Sequence, residues 1–338
     1  MSTRFYWQPI PLFPEEAPVF AAPLAGGWMR FVAVRRISRT GPARIVSVDE
    51  LPREVFARLT APRAAIAGLA MDRPRIMGIV NVTPDSFSDG GLHADAAAAV
   101  AHGVALAEAG ADMLDVGGES TRPGADPVPE EVEIARVRPV IAALGARLDL
   151  PVSADTRKAP VARAATGAGA AMINDVSGLT HDLAMAAEVA GSGAALCLMH
   201  SPADPKVMQQ RASYADVLLD VYDWLERRLA LAERAGIPRS RIVVDPGIGF
   251  GKTLAHNLRL LRGLSLFHTL GCPILLGVSR KSFIGAVSGE SAPARRVAGS
   301  LAVALDAVRQ GVQLLRVHDV AETRQALDLW LVLHPPEG

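Results

Sequence analysis

One unit repeats along most of the chain from Arg75 onward: a short apolar run, a polar or glycine-rich loop, and a helical segment. The apolar runs occupy residues 76–80, 113–116, 152–154, 171–173, 195–199, 242–244, 274–278 and 314–317. Helical segments lie between them, for example at 95–109, 130–147, 214–235 and 293–310. Eight such units in roughly 260 residues match the usual size of a (β/α)8 barrel.

A doubly wound open sheet is the alternative architecture for this α/β pattern. The first strand of such a sheet usually runs into a dinucleotide-binding fingerprint. Here the first apolar run leads into Asn81-Val82-Thr83-Pro84-Asp85, which is no such fingerprint. The sequence therefore predicts a (β/α)8 TIM barrel.

The first 73 residues differ in composition from the rest and contain eight of the 16 aromatic residues. Residues 28–36 and 44–48 read as short strands, and Asp49 is a candidate cap for a short helix that carries Val55, Phe56 and Leu59 on one face. We therefore expect two parts. Residues 1–73 form a small N-terminal α+β extension of unassigned role, and residues 74–338 form the barrel.

The charge balance excludes several classes of partner. Lys plus Arg and Asp plus Glu number 35 each, so no net field draws the chain to nucleic acid or to an anionic membrane. No apolar stretch is long enough for a membrane helix, and the first residues lack the core of a signal peptide. Cys197 and Cys272 each lie inside an apolar run, as buried thiols in a reducing compartment do. We expect a cytoplasmic protein.

Polar side chains stand at or just beyond the ends of the apolar runs. They are Asn81, Asp115, Asp155, Asn174, Asp175, His200, Asp245, Ser279, Arg280, Lys281, Ser282, Arg316 and His318. In a parallel barrel the strand ends converge on one face, where the active site lies. A single Asp in such a place is usually a loop or helix cap, but so many ends together favour a polar pocket. Gly251-Lys252-Thr253 looks like the end of a P-loop, yet its first glycine would fall on Pro246, so we expect a plain loop there.

Five segments that begin at these strand ends resemble the signatures of the dihydropteroate synthase family. They are residues 81–91 (NVTPDSFSDGG), 115–124 (DVGGESTRPG), 245–252 (DPGIGFGK), 279–282 (SRKS) and 316–319 (RVHD). The resemblance covers about residues 74–335, in the order and spacing of the family. Ser201-Pro202 and Arg157 depart from its pattern, and the N-terminal extension has no counterpart to which a role carries over.

The resemblance implies an enzyme that joins 6-hydroxymethyl-7,8-dihydropterin pyrophosphate to p-aminobenzoate and releases pyrophosphate, in folate synthesis. It implies that Asp155, Asn174, Asp245, Lys281 and Arg316 contact the pterin. The residue types suit this task, because a buried pterin edge of donors and acceptors needs a fixed set of opposite groups. If the site were not functional, Asp245 and Lys281 would be a buried ion pair.

Pyrophosphate departure needs positive charge and a metal. Arg316 can bind phosphate oxygens with its forked guanidinium, His318 can donate a further hydrogen bond, and Asn81 can offer a neutral oxygen to Mg²⁺. No activated nucleophile is present in the sequence, which fits a dissociative reaction carried by electrostatic stabilisation. We expect Lys281, Arg316 and His318 to be the catalytic residues and Mg²⁺ to be the cofactor.

The second substrate is assigned by the same resemblance. It implies that Thr121, Arg122 and Pro123 lie against p-aminobenzoate. Phe250 can stack on its ring, and Ser282 with the following helix N-terminus can hold its carboxylate. The family also implies a homodimer, and the Ala-rich segment 293–310 permits close packing of two copies.

Two other functions stay open. A methyltetrahydrofolate-type methyltransferase would keep the pterin contacts but has no evident need for Thr121-Arg122-Pro123 or for the 279–282 run. A non-enzymatic pterin-binding paralogue should have lost loop residues, whereas the loops here look complete. An assay of turnover distinguishes these classes.

Overall fold

The computed structural model describes residues 4–82, 91–120, 124–204 and 206–335. The N-terminal extension is α+β, as predicted. Strands β1 (Tyr6–Pro9), β4 (Ala33–Ile37) and β5 (Arg44–Ser47) form an antiparallel sheet, and β2 (Ala22–Pro23) pairs with β3 (Arg30–Phe31). One helix follows, α1 (Arg53–Thr60), which buries Leu59.

Two local predictions in the extension are wrong. The predicted strand at 28–36 is two short strands, β3 and β4, separated at Val32. Asp49 does not cap α1, because residues Val48–Glu50 form a 3-10 turn of their own and the helix begins after Pro52. Proline disfavours helical backbone in the residue before it, and Leu51 is extended, so the helix begins only after Pro52.

The predicted (β/α)8 barrel is confirmed. Its eight parallel strands are β6 (Arg75–Asn81), β7 (Met113–Gly117), β8 (Val152–Asp155), β9 (Met172–Asp175), β10 (Ala195–Met199), β11 (Ile242–Asp245), β12 (Leu275–Gly277) and β13 (Leu314–Val317). They follow one another in the order β11-β10-β9-β8-β7-β6-β13-β12, and a parallel bridge between Val244 and Ile274 joins the two outer strands. The sheet therefore closes.

Helices surround the sheet. They are α2 (Gly91–Glu108), α3 (Glu130–Gly145), α4 (Ala159–Gly167), α5 (Met185–Ser192), α6 (Val217–Arg234), α7 (Leu254–Leu261), α8 (Ser282–Ser288), α9 (Val297–Arg309) and α10 (Val320–Leu333). Helix α6 begins where Asp216 accepts hydrogen bonds from the backbone N–H groups of Leu218 and Leu219. In the described part of the chain, no helix is long and apolar enough to cross a membrane.

Apolar side chains fill the amino-terminal half of the barrel. Met77, Met113 and Met172 stand at or near the first residues of their strands and are fully buried in one cluster with Leu275 and Leu314. Since strand side chains alternate, the next inward positions carry Asp115, Asn174 and Arg316. The barrel therefore has an apolar floor beneath a polar layer, and that layer opens at the carboxyl ends of the strands.

The N-terminal extension packs on the barrel wall and floor. Ile66 and Met71 belong to the same buried cluster as the floor methionines. The indole of Trp28 donates to the backbone oxygen of Val308 at 2.9 Å, and Arg39 pairs with Asp220 of α6 at 2.7 Å. Cys197 and Cys272 are buried free thiols, as predicted.

Candidate active site

A cavity opens at the carboxyl ends of the barrel strands and contains about 450 Å³ of space, part of it open to solvent. Its walls are Ile79, Asp155, Asn174, Val176, Met199, Asp245, Phe250, Gly277, Ser279, Lys281, Arg316 and His318. Seven of these residues were predicted from the sequence to bind ligand: Asp155, Asn174, Asp245, Phe250, Lys281, Arg316 and His318. The structure therefore brings most of the predicted contacts into one pocket.

Arg316 forms one side of the cavity and holds two carboxylates. Its Nε donates to Oδ2 of Asp115 at 2.6 Å, and its Nη2 donates to Oδ2 of Asp155 at 2.8 Å. The same oxygen of Asp115 accepts from Nδ2 of Asn174 at 2.9 Å. Because β7, β8 and β9 are neighbours in the sheet, they bring Asp115, Asp155 and Asn174 together beside Arg316.

Two acceptor atoms in this cluster have no partner. Oδ1 of Asp115 and Oδ1 of Asp155 are buried without a hydrogen bond in the described part of the chain. Burial raises the pKa of Asp155 to about 8, with the negative charge of Asp115 adding to the shift and Arg316 opposing it. A buried acceptor left unpaired costs about 1–3 kcal/mol. A ligand that presents an N–H donor to Asp155, which lines the cavity, removes that cost.

Asp245 at the end of β11 and Lys281 after β12 line the next part of the cavity. Asp245 accepts the backbone N–H of Gly247 at 2.7 Å, and Lys281 donates to the backbone oxygen of Ile248. Among the described residues, no ion pair joins Asp245 to Lys281. The alternative that these two residues are merely a buried ion pair is therefore not supported. Burial lowers the pKa of Lys281 to about 8 and raises the pKa of Asp245, and each opposes the shift of the other.

The loop after β11 presents Phe250 to the cavity. Nζ of Lys252 donates to the backbone oxygens of Gly247 at 2.8 Å and Phe250 at 2.9 Å, and lies 3.0 Å from Nδ1 of His200. Three glycines in this loop have positive φ: Gly247, Gly249 and Gly251. Lys252 is therefore occupied by its own loop, which confirms that the run is not a phosphate-binding P-loop. Nζ of Lys281 lies 4.6 Å from the centroid of the Phe250 ring.

His318 lies at the edge of the cavity next to β6. Its backbone N–H donates to Oγ of Ser279 at 3.1 Å, and its Nδ1 lies at the same distance from that oxygen. Asn81 ends β6, the strand that pairs with β13, and is half-buried. Asn81 and Ser282, the exposed first residue of α8, stand beside cavity residues but are not part of its walls.

The residues predicted to bind ligand and the residues observed at the cavity do not fully coincide. Thr121, Arg122 and Pro123 lie outside the described residues. Conversely, Asp115 is fully buried at the centre of the Arg316 cluster, yet the sequence assigned it no contact. Its position at the end of the second apolar run was the available signal. Ser279 is likewise a cavity wall residue beyond the predicted contacts.

The barrel and its pocket of buried donors and acceptors define the class. A family model described as pterin binding enzyme matches residues 77–318, so the fold and site are those of a pterin-binding barrel. Dihydropteroate synthase of Escherichia coli strain K12 is 46% identical over 259 residues, which are 77% of this chain and 91% of that protein. The chain belongs to the dihydropteroate synthase family.

Solved structures agree with this assignment. Xanthomonas albilineans dihydropteroate synthase with 4-aminobenzoic acid is 51% identical, has a TM-score of 0.76, and is matched over 81% of this chain and 98% of that one. The same enzyme in complex with 7,8-dihydropteroate is 48% identical with a TM-score of 0.73, over 81% and 99% of the two chains. The Yersinia pestis enzyme with a sulfonamide drug complex is 44% identical with a TM-score of 0.74, over 78% and 96%.

Proposed function

We propose that the chain joins 6-hydroxymethyl-7,8-dihydropterin pyrophosphate to p-aminobenzoate, giving 7,8-dihydropteroate and pyrophosphate in folate biosynthesis. The C–O bond to pyrophosphate breaks, the leaving group takes the electron pair, and the aniline nitrogen forms a C–N bond and loses a proton. The observation that carries this proposal is one pocket whose walls bring together Asp155, with an unpaired buried carboxylate oxygen, Asn174, Asp245, Lys281 and Arg316.

The pterin binds in the polar layer. Its N–H groups donate to carboxylates such as Asp155 and Asp245, and its oxo group accepts from Lys281. The side-chain amide of Asn174 has both a donor and an acceptor, so it can pair with the remaining polar groups on the pterin edge. Arg316 also holds Asp155 in position for the pterin through the hydrogen bond from its Nη2.

Pyrophosphate leaves toward Arg316 and His318. The guanidinium of Arg316 uses Nε and Nη2 on carboxylates, and its Nη1 has no hydrogen-bond partner within the described ranges. Burial by itself lowers the pKa of Arg316, but Asp115 and Asp155 raise it above its usual value, so the group stays charged. A permanent positive charge beside the leaving group stabilises the developing pyrophosphate. Lys281, Arg316 and His318 are the catalytic residues in this proposal.

Mg²⁺ is proposed as the cofactor. Over the described residues, no cluster of three or more His, Cys, Asp or Glu side chains is placed to hold a metal ion alone. Asn81 offers one neutral amide oxygen at the end of β6, which fits an ion whose other ligands come from phosphate and water. When bound, Mg²⁺ neutralises charge on the leaving pyrophosphate.

p-Aminobenzoate takes the outer part of the site. Phe250 offers its ring for stacking, and the hydroxyl of Ser282 is exposed at the start of α8 for the carboxylate. Thr121, Arg122 and Pro123 complete the subsite in this proposal. Sulfonamides, which resemble p-aminobenzoate, compete for the same place.

A pyrophosphate-release assay tests the proposed function. Release should require the dihydropterin pyrophosphate, p-aminobenzoate and Mg²⁺ together, and Lys281→Met should abolish it. Release at the same rate without p-aminobenzoate would show hydrolysis and not condensation. Tight pterin binding with no release would favour the non-enzymatic pterin-binding class.

We further propose that the protein is a cytoplasmic homodimer. Two buried free cysteines suit a reducing compartment. Exposed Val287 on α8 and exposed Leu329 and Val332 on α10 supply apolar surface close to the predicted segment 293–310. Light scattering at micromolar concentration should give the mass of a dimer, and the mass of a monomer would contradict this.

A further inference from the structure

A chain of polar contacts connects four consecutive loops at the mouth of the barrel. Glu119 follows β7, Arg157 follows β8, His181 follows β9, and Asp204 follows β10. Nε of Arg157 donates to Oε2 of Glu119 at 3.1 Å, and its Nη1 donates to Oδ1 of Asp204 at 2.6 Å. The same oxygen of Asp204 lies 3.4 Å from Nδ1 of His181. Arg157 is the middle of this chain.

Arg157 is a buried charged side chain. Its side chain is 7% exposed and that of Glu119 is 4% exposed, whereas Asp204 is 61% exposed. Arg157 is not a wall residue of the pterin cavity, and its guanidinium is engaged by two carboxylates from other loops. These contacts give it a role in holding loops and leave substrate binding to Asp155, two residues earlier.

The loop after β7 is held at both ends by the same group of residues. Oε1 of Glu119 accepts the backbone N–H of Val128 at 2.8 Å, and Nζ of Lys158 donates to that oxygen at 3.2 Å and to the backbone oxygen of Val128 at 2.7 Å. An exposed pair joins the loop after β7 to the loop after β10, with Lys206 Nζ 2.7 Å from Asp126 Oδ1. Residues 121–123 lie between the two anchored ends in the sequence.

We propose that Arg157 is a positioning residue that fixes the loop after β7 against the loop after β10 and thereby sets the KM for p-aminobenzoate. This rests on the proposed function, because it assumes that Thr121, Arg122 and Pro123 meet that substrate. A planar guanidinium can bind two carboxylates in fixed directions at once, which the single ammonium of lysine cannot do. Displacing a substrate-positioning loop by about 1 Å is enough to weaken catalysis.

Asp204→Ala is the sharpest test, because Asp204 is exposed and its loss leaves no buried cavity. We expect the KM for p-aminobenzoate to rise about three- to tenfold, the range for losing an ion pair with one buried partner. The KM for the dihydropterin pyrophosphate, kcat at saturation and the Tm should stay near wild type. The KM of Asp204→Asn for p-aminobenzoate should lie between those of wild type and Asp204→Ala, since its amide oxygen still accepts a hydrogen bond from Arg157.

Two further variants complete the design. Arg157→Lys should raise the same KM at least as much, and adding Asp204→Ala to it should have little further effect, because the contact is already lost. Asp328→Asn is the matched control. Asp328 is 63% exposed and faces Arg324 across 3.7 Å on α10, so all parameters should match wild type.

The outcomes separate this inference from the proposed function. If wild type makes no dihydropteroate, the proposed function fails and the positioning role fails with it. If wild type is active but Asp204→Ala keeps the wild-type KM for p-aminobenzoate, only the positioning role is overturned. A rise confined to the KM of the pterin substrate, or equal rises in both KM values, would also overturn it.

Discussion

Replacing Asp155 with asparagine tests the electrostatics of the pterin pocket. Asp155 is 7% exposed, and its Oδ2 accepts from Arg316 at 2.8 Å while its Oδ1 has no partner in the described chain. Asp155→Asn keeps the shape and the hydrogen bond from Arg316, which the amide oxygen can accept. It replaces the unpaired acceptor with an N–H donor. A pterin N–H that meets this donor loses its hydrogen bond.

The size of the effect depends on pH. A buried mismatch of this kind costs about 1–3 kcal/mol, which is roughly a ten- to hundredfold loss of pterin affinity. Because the pKa of Asp155 is raised to about 8, mainly by burial, the free protein carries the carboxylate at pH 9 but mostly the acid at pH 7. The ratio of the two dissociation constants should therefore be about tenfold larger at pH 9 than at pH 7.

Calorimetry with 6-hydroxymethyl-7,8-dihydropterin measures this ratio. Lys281 also titrates in the range, but it is present in both proteins, so the ratio of variant to wild type isolates Asp155. Thermal unfolding verifies that the variant is folded. Equal affinities at pH 9, or a ratio that does not change with pH, would refute the assignment of Asp155 as a pterin-binding carboxylate.

Three further predictions follow from individual contacts. Burial lowers the pKa of Lys281 to about 8, so kcat/KM should fall as the pH rises above about 8 and the ammonium loses its charge; a flat alkaline limb would contradict this. p-Aminobenzoate should bind more tightly by calorimetry once a pterin and Mg²⁺-pyrophosphate are present, and equal affinity with and without them would show a preformed site. Gly247→Ala should lower the free energy of unfolding in urea by more than about 2 kcal/mol, because the new Cβ would lie 2.0 Å from the backbone oxygen of His200 at a φ of +67°. The control Gly289→Ala has a φ of +77° but open space around it, so it should lose only about 1 kcal/mol, and equal losses would refute the steric argument.

The barrel could be predicted because its signal is local and repeated. Eight apolar runs with helical segments between them leave few other parallel architectures, and each predicted run lies within or overlaps an observed strand. The extension gave weaker signals. Asp49 has the chemistry of a helix cap, but the turn at Val48–Glu50 and Pro52 decide where α1 begins. The capping preference of one residue does not show how neighbouring turn-forming residues compete to set the start of a helix.

The site could be predicted as a set of residues, because strand ends of a parallel barrel converge. The partners of each residue could not. Asp115 and Arg316 are 201 positions apart in sequence and meet only because β7 and β13 belong to one closed sheet. The Arg157 contacts arise in the same way, from loops that only the folded barrel brings together. Shifted pKa values depend on burial, which no motif reveals.

The most direct test of the central claim is the product itself. Purified protein is incubated with dihydropterin pyrophosphate, Mg²⁺ and p-aminobenzoate labelled with ¹⁵N at the amine, and the products are analysed by mass spectrometry. The account predicts 7,8-dihydropteroate that carries the label, formed together with an equal amount of pyrophosphate. Unlabelled pterin alcohol with pyrophosphate, or no product from protein that still binds the pterin, would contradict it.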